Sequence, residues 1–186
     1  MGFFVWVKVT DDANETLEEI VERKERERAE NGLFWWGLGS SLGKAVIEAA
    51  QSSGGTLPVL FSRSLGRRSA GQRASSPVSV YTWSRWKDAS GAARTLPAYA
   101  TVRSAASFRD RGYYALVCSS THPLVLKEDG PLFDPSDYQT TGAKAPGASQ
   151  TVALLRGQPL EANPLGKYRI ILQATLVAPW FIKLTS

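Results

Sequence analysis

The chain is poor in the residues from which most catalytic and metal centres are built. Its 186 residues include one cysteine, Cys118, and one histidine, His122. A single cysteine excludes an internal disulfide and a zinc site made from several cysteines, and it fits a reducing compartment. Because so few ligands are present, the sequence predicts neither a metal nor a cofactor.

Long apolar runs are also missing. No window approaches the roughly 18 apolar residues that a membrane span needs. The opening segment MGFFVWVKVTDD has a short apolar run with no basic residue before it and acids directly after it, which predicts a first strand rather than a signal peptide. A myristoylation site would need Ser or Thr where Trp6 stands. We therefore expect a cytoplasmic protein without a membrane partner.

Acidic residues are in the minority and unevenly placed. Lys and Arg number 22 against 17 for Asp and Glu, which gives a formal net charge of +5 and a sequence pI near 9.5. Nine of the seventeen acids lie between Asp11 and Glu30, so the rest of the chain is more basic than the average indicates. This balance favours an anionic partner, for which DNA or RNA is the leading candidate.

The first part of the chain predicts a strand followed by a helix. The run FFVWVKV, at Phe3 to Val9, is β-branched and aromatic, which is typical of a buried strand. We expect the side chain of Asp11, Asp12 or Asn14 to cap the helix that follows, because their oxygens can accept from its free first-turn N–H groups. Gly32 is expected to end it.

The two halves of this helix differ in pattern. Its second half, ERKERERAE, has no apolar stripe, so we expect it to project into solvent with i,i+4 ion pairs such as Glu22 with Arg26. The first half carries a single apolar face, formed by Ala13, Leu17, Ile20 and Val21.

The remaining pattern predicts strands around one further helix. Helices near one end and strands thereafter indicate one α+β domain over 1–186, with a mixed, barrel-like sheet. Two loops interrupt it: a flexible basic loop at 63–76, and a long loop at 131–149 of the kind that is usually functional. The predicted elements are a strand at 33–39, a helix at 40–51, and strands at 57–62, 78–86, 113–120, 150–157 and 167–184.

The stretch LFWWGLGSSLG, at Leu33 to Gly43, raises three alternatives: core, a stacking platform or a phosphate loop. The glycine spacing fits neither GxxxxGK[ST], since the second glycine should fall at Leu42, nor GxGxxG, since the third glycine comes one residue late at Gly43. Adjacent tryptophans on an extended strand point to opposite sides. We assign Trp35 to the core and Trp36 to a pocket.

Catalytic pairs are weakly indicated. On a continuing strand, Cys118 and His122 would be roughly 13 Å apart, so a buried cysteine and a strand-end histidine are favoured over a nucleophile and its base. Asp134 and Asp137, in FDPSDY, form the signature of an Asx and proline turn before they form an acid pair. We name no catalytic residue and consider an enzyme the less favoured alternative.

The order of elements resembles the EVE domains of the PUA-like superfamily, which also includes the YTH and ASCH domains. The resemblance rests on Phe4, Val5 and Trp6 in the opening strand, on WGL (36–38) after the first helix, and on LPVLFS (57–62) as the next strand. It covers about the first 85 residues. It departs where SSGGT (52–56) replaces the expected GD turn, and the segment at 131–149 has no counterpart.

This resemblance implies a PUA-like mixed β-barrel flanked by two or more helices, and a reader of a modified base held in an aromatic pocket. Exposed aromatic side chains beside arginines suit such a role, because they stack on bases while the arginines hold phosphates. Trp36 would then stack on the base. The predicted ligand-binding residues are Trp6, Trp36, Gly37, Ser40, Tyr81, Trp83, Ser149 and Gln150, and those for the nucleic-acid backbone are Arg63, Arg67, Arg68 and Arg73.

Two alternatives stay open. One is an enzyme acting on a nucleotide or nucleic acid, with the turn at 37–43 holding phosphate and Asp134, Asp137 or Cys118 in the chemistry. The other is a protein-interaction module, such as an antitoxin or an inhibitor, in which the charged first helix and the basic loop contact a partner. A downstream effector protein is compatible with the nucleic-acid-binding hypothesis.

Overall fold

The computed structural model of the protein describes residues 2–9, 16–38, 43–65, 80–82, 85–87, 93–94, 101–103, 113–140, 152–159 and 163–185. Two helices are present in these ranges, α1 (Leu17–Asn31) and α2 (Gly43–Ser52). The strands are β1 (Phe3–Lys8), β2 (Phe34–Leu38), β3 (Leu57–Ser64), β4 (Val80–Thr82), β5 (Arg85–Lys87), β6 (Ala93–Arg94), β7 (Thr101–Arg103), β8 (Tyr113–Ser119), β9 (Leu132–Phe133), β10 (Gln139–Thr140), β11 (Val152–Arg156) and β12 (Tyr168–Thr185).

Ten of these strands form one mixed sheet, and β4 and β7 pair separately. Strands β1 and β3 are parallel, with α1, β2 and α2 in the connection between them, and the other strand pairs of the described residues are antiparallel. The predicted α+β class is therefore confirmed. The predicted closed barrel differs from the structure, because the path β10-β11-β1-β3-β12-β5-β6 through the described strands does not return on itself.

The last strand, β12, organises the sheet. Its first half pairs with β3 and its second half with β8, so one chain segment joins the two parts of the sheet. A register shift between Ile170 and Leu172 interrupts the alternation, so that the consecutive residues Ile171 and Leu172 both lie in the larger core while Ile170 lies on the other face. A larger irregularity lies between Leu176 and Phe181, where Trp180 has a positive φ of 64° and donates to the Gly55 carbonyl at 2.7 Å.

Alternation along β1 builds two apolar layers. Val5 and Val7 belong to the larger core, to which both helices contribute, while Phe4 and Trp6 point to the other face of the sheet. That second face is covered by Phe133 and by Tyr138, whose ring packs edge-on against Phe4 with centroids 5.0 Å apart. Burial of a large apolar side chain contributes about 1.5–3 kcal/mol, so both layers stabilise the sheet.

The segment that covers the second layer was predicted to be loop. The predicted loop at 131–149 in fact begins with β9, a short 3-10 turn at Pro135–Asp137, and β10. Strand β9 pairs with the start of β12, and β10 pairs with β11. The pattern of this segment predicted turns because the two strands have two residues each, too few for an alternation to be visible.

Helix α1 begins and ends at caps that only partly match the prediction. Its N-cap is Thr16, whose hydroxyl accepts from the Glu19 N–H while the Glu19 carboxylate accepts from the Thr16 N–H. This capping box satisfies two free donors at once, so it replaces the expected cap at 11–14, which lies outside the described residues. At the other end Gly32 terminates the helix with φ of 72°, as predicted.

The expectation that the second half of α1 projects into solvent is wrong. Lys24 and Glu27 are 3% and 1% exposed, and their side chains pair at 2.9 Å. The Lys24 Nζ lies 3.7 Å from the Trp35 ring centroid, and the Glu27 carboxylate accepts from the Trp35 backbone N–H at 3.3 Å. Helix α1 therefore packs on β2 through charged side chains, which a search for apolar stripes does not detect.

A second contact ties α1 to the segment after β8. The Glu25 carboxylate accepts from the Arg28 guanidinium at 2.6 and 2.7 Å and from the Leu124 backbone N–H at 2.6 Å. The Arg28 hydrogen bond lowers the pKa of Glu25, partial burial opposes that shift, and the Leu124 bond adds to the lowering. The charged form of Glu25 is therefore the one that holds Leu124 in place.

We expect Glu27→Ala to lower the free energy of unfolding by about 3 kcal/mol, because it leaves Lys24 buried without its partner and the Trp35 N–H without its acceptor. The matched control is Glu22→Ala, an exposed glutamate of the same helix, which should change it by less than about 0.5 kcal/mol. Urea unfolding followed by tryptophan fluorescence measures both. Equal effects of the two substitutions would contradict the packing described for α1.

Glu25→Gln should reduce stability by about 1 kcal/mol at neutral pH, because an amide cannot form the same ion pair with Arg28. Since folding lowers the pKa of Glu25, its contribution is present above the ordinary carboxyl value of 4.5 and is lost as the pH falls below it. The stability difference between wild type and variant should therefore shrink between neutral pH and pH of about 3. A difference that is independent of pH would contradict this role.

Candidate functional site

Two arginines face each other on neighbouring strands. Arg63 of β3 lies directly opposite Arg169 of β12, and Lys167 precedes β12 by one residue. We call these three residues the basic edge. The backbone of the edge is fixed, because the Leu65 N–H donates to the Lys167 carbonyl at 2.9 Å just beyond the last strand pair.

Like charges opposite each other on paired strands destabilise a sheet unless other groups compensate them. The compensation comes from the segment that follows β8. Its Glu128 carboxylate pairs with the Arg63 guanidinium, and its Gly130 carbonyl accepts from Arg169 Nη1 at 2.7 Å. Both arginines remain half-buried, so their charges are held at fixed positions rather than on free surface side chains.

Lys167 is the most accessible cation of the basic edge. Its side chain is 79% exposed, and its Nζ is 4.0 Å from the nearer Asp134 carboxylate oxygen, which makes this a weak ion pair in water. An anion that approached the edge would therefore meet Lys167 first. The aromatic residue next to it, Tyr168, is half-buried and points to the face of Trp6.

Strand β3 ends at the basic edge, where the arginine-rich segment begins in the sequence. Arg63 and Ser64 belong to β3, so the strand extends two residues into the basic loop predicted at 63–76. The remaining predicted backbone contacts, Arg67, Arg68 and Arg73, lie outside the described residues.

Two of the four aromatic residues predicted to bind the ligand, Trp6 and Trp36, are buried. Trp6 is 1% exposed, donates from Nε1 to the Ser62 hydroxyl at 2.7 Å, and packs edge-on against Tyr168. Trp36 is 9% exposed, and its ring centroid is 4.6 Å from that of Phe61 in the larger core. The assignment of Trp36 to a pocket thus differs from the structure, because its ring belongs to the larger core around Phe61.

Its neighbour Trp35 has the less apolar surroundings of the pair. Strand alternation separates the two rings as predicted, but it turns Trp35 towards the charged residues Lys24 and Glu27. Trp35 is 8% exposed, and its Nε1 is buried without a hydrogen-bond partner. A buried indole N–H ordinarily finds an acceptor, so this donor is an exception within the described residues.

The other predicted ligand-binding residues are only partly placed. Gly37 lies half-buried on β2, opposite Ala115 of β8. Tyr81 lies on β4, for which the backbone alone is described. Ser40, Trp83, Ser149 and Gln150 fall outside the described residues, so the aromatic pocket stays a prediction.

The candidate catalytic groups do not assemble into a site. Cys118 is fully buried in β8, and this burial raises the pKa of its thiol, against a smaller lowering by the charge of Lys24. His122 is exposed and bonds to the Thr121 hydroxyl at 2.9 Å. Asp134 accepts from the Ser136 N–H at 3.0 Å and from its hydroxyl, which confirms the turn that was favoured for this segment.

Within the described ranges, no group of three or more His, Cys, Asp and Glu side chains is arranged to hold a metal ion. Neither α1 nor α2 has the length and apolar character that a membrane crossing requires. No family model, curated protein or solved structure matches the chain. The function therefore has to be inferred from the residues of this chain.

Sequence reasoning missed two cations of the basic edge, Lys167 and Arg169. Both stand in the run KYRIIL, where a basic, aromatic, basic triplet opens an apolar strand. That triplet is a signal that could have been used, since interleaved cations and aromatic residues are common in nucleic-acid-binding surfaces. The position of Arg169 opposite Arg63 depends on the register of β12 with β3, which the sequence does not reveal.

Burial of Cys118 predicts slow modification of the native protein by a thiol reagent such as Ellman's reagent. The thiolate is the reactive form, and both the raised pKa and the lack of access suppress it. We expect one thiol per chain to react in denaturant and almost none in native buffer within the same time. Because Cys118 is the only cysteine, rapid reaction of the native protein would contradict its placement.

Proposed function

We propose that the protein is a nucleic-acid-binding module of PUA-like type, related to the EVE domains. The observation that carries the proposal is the pair of opposed arginines, Arg63 and Arg169, beside the exposed Lys167. Three cations held this closely favour a polyanionic ligand, because each phosphate contact releases condensed counterions. The order β1, α1, β2, α2, β3 supports the relation to the EVE domains, since it matches the order of elements in that family.

The distribution of acidic residues also supports this assignment. The solvent-exposed side of α1 carries four glutamates and one arginine, which makes it a poor surface for a polyanion. Glu25 and Glu27 are engaged in ion pairs within the fold. The three cations of the basic edge lie outside α1, on and beside β3 and β12.

The other two functions are less well supported. An enzyme would need an accessible nucleophile or acid, whereas Cys118 is buried and Asp134 is used as a turn cap. A protein-interaction module could use the exposed side of α1, but no apolar anchor accompanies the charges there, and such anchors contribute most of the binding energy at protein interfaces. The reader of a modified base remains part of the proposal, with Tyr81 and Trp83 as its candidate aromatic residues.

Lys167→Ala should weaken binding of a labelled oligonucleotide of about 16 residues and flatten its salt dependence by about 0.7 in log–log slope, the value for one phosphate contact on a single strand. The triple variant Arg67→Ala, Arg68→Ala, Arg73→Ala should flatten it further. Fluorescence anisotropy between about 50 and 200 mM salt measures both slopes. Thermal unfolding should be unchanged for Lys167→Ala because that side chain is exposed.

The matched control is Lys44→Ala. Lys44 lies on α2, and its side chain is 89% exposed. The substitution therefore removes the same charge as Lys167→Ala, but from another part of the fold. An equal loss of slope for Lys44→Ala and Lys167→Ala would show a general charge effect and remove the basic edge from the proposal. If wild type binds no oligonucleotide at the lower salt concentration, the proposed function is wrong.

A further inference from the structure

Exposed apolar side chains border the basic edge. Leu165 is 88% exposed and Leu65 is 48% exposed, and both are large hydrophobic residues. Leu165 lies two residues before Lys167, in a turn closed by the bond from the Gly166 N–H to the Asn163 carbonyl at 2.8 Å. The Leu65 backbone N–H donates to the Lys167 carbonyl. One exposed leucine therefore precedes the accessible lysine by two residues, and the other is hydrogen-bonded to the lysine through the backbone.

A partly accessible tyrosine, Tyr168, follows Lys167 directly in the chain. The half-buried ring of Tyr168 meets the Trp6 ring edge-on, with centroids 5.4 Å apart and an interplanar angle of 77°. Trp6 is itself fixed by its hydrogen bond to Ser62, which lies opposite Ile170 in the register of β3 with β12. Tyr168 is therefore held on one side by the second apolar layer while part of its surface remains accessible.

The cationic side chains and the apolar or aromatic side chains of this surface would each bind a different part of a ligand. Cations bind phosphates of any nucleic acid, whereas exposed leucine and tyrosine surfaces are desolvated favourably only by another apolar or aromatic surface. A duplex presents its phosphates outward and keeps the faces of its bases stacked inside. A single strand can present phosphates and base faces together at one protein surface.

We infer that the basic edge binds single-stranded nucleic acid, with bases against Leu65, Leu165 and Tyr168 and a phosphate at Lys167. This inference rests on the proposed function and specifies its substrate class. An anionic lipid surface would share the attraction to cations. It is the weaker match, because lipid insertion relies on a continuous apolar face, and here the two exposed leucines lie on different chain segments beside a charged lysine.

The test compares one labelled oligonucleotide, single-stranded and annealed to its complement, with wild type and with the double variant Leu65→Ser, Leu165→Ser. We expect wild type to bind the single strand at least tenfold more tightly than the duplex. The double variant should bind the single strand about tenfold more weakly, within the range for lost base contacts, and the duplex as before. Its salt slope should be unchanged, because no charge has been removed.

Val125→Ser is the matched control. Val125 is also an exposed apolar residue, at 64%, but it lies on the segment that runs beside Ile171 rather than at the basic edge. It should leave binding of both ligands unchanged. Circular dichroism and thermal unfolding check that all variants fold, and little change is expected because the replaced side chains face solvent.

Three results would overturn the inference. They are equal or tighter binding of the duplex, unaltered single-strand binding by the double variant, and binding of vesicles with anionic headgroups in preference to oligonucleotides. The first two leave the proposed function standing, since the protein would still bind nucleic acid. Preference for vesicles, or binding of neither form of the oligonucleotide, would remove the proposed function as well.

Discussion

The Glu27 carboxylate is the group on which the junction between α1 and the sheet depends. It is 1% exposed, accepts hydrogen bonds from Lys24 and from the Trp35 backbone N–H, and forms an ion pair with Arg23 at 3.6 Å. A carboxylate desolvated to this degree is tolerated only when its oxygens are satisfied by charged and backbone donors. Its position therefore fixes the rotation of α1 relative to β2.

This arrangement also protects an edge of the sheet. Strand β2 pairs with β8 on one side, and the Trp35 N–H on the other side is bonded by Glu27 instead of by another strand. An uncovered edge strand with a run of aromatic residues would invite pairing with a second chain. The charges in the second half of α1 thus have a structural role at the place where their pattern predicted solvent exposure.

A continuous set of contacts leads from this junction to the basic edge. Beside Glu27 on α1, Glu25 binds the backbone at Leu124. The segment that begins there continues along β12, with the Lys127 N–H donating to the Ile171 carbonyl, and supplies the acceptors for Arg63 and Arg169. The positions of the opposed arginines therefore depend on how the acidic helix is packed.

Much of the fold was predictable because it follows from local patterns. The alternation at 3–9, the glycine at Gly32, and the apolar runs of β2, β3, β8 and β11 all gave elements of the right type. The packing of α1 was not predictable, since a buried ion pair and a cation beside a tryptophan ring leave no apolar periodicity. The pairing of Arg169 with Arg63 at the start of β12 was not predictable either, because strand register is set by the whole sheet.

The role of Trp36 shows why a motif and its surroundings have to be judged together. Strand alternation separated Trp35 from Trp36 as expected, but which ring lies among apolar neighbours depends on what covers each side of β2. Both sides are covered, one by α1 with its charges and the other by the core around Phe61. Aromatic residues next to a glycine therefore do not by themselves indicate a binding surface. The basic edge differs from them, because its two strands carry arginines in direct register and its lysine is exposed.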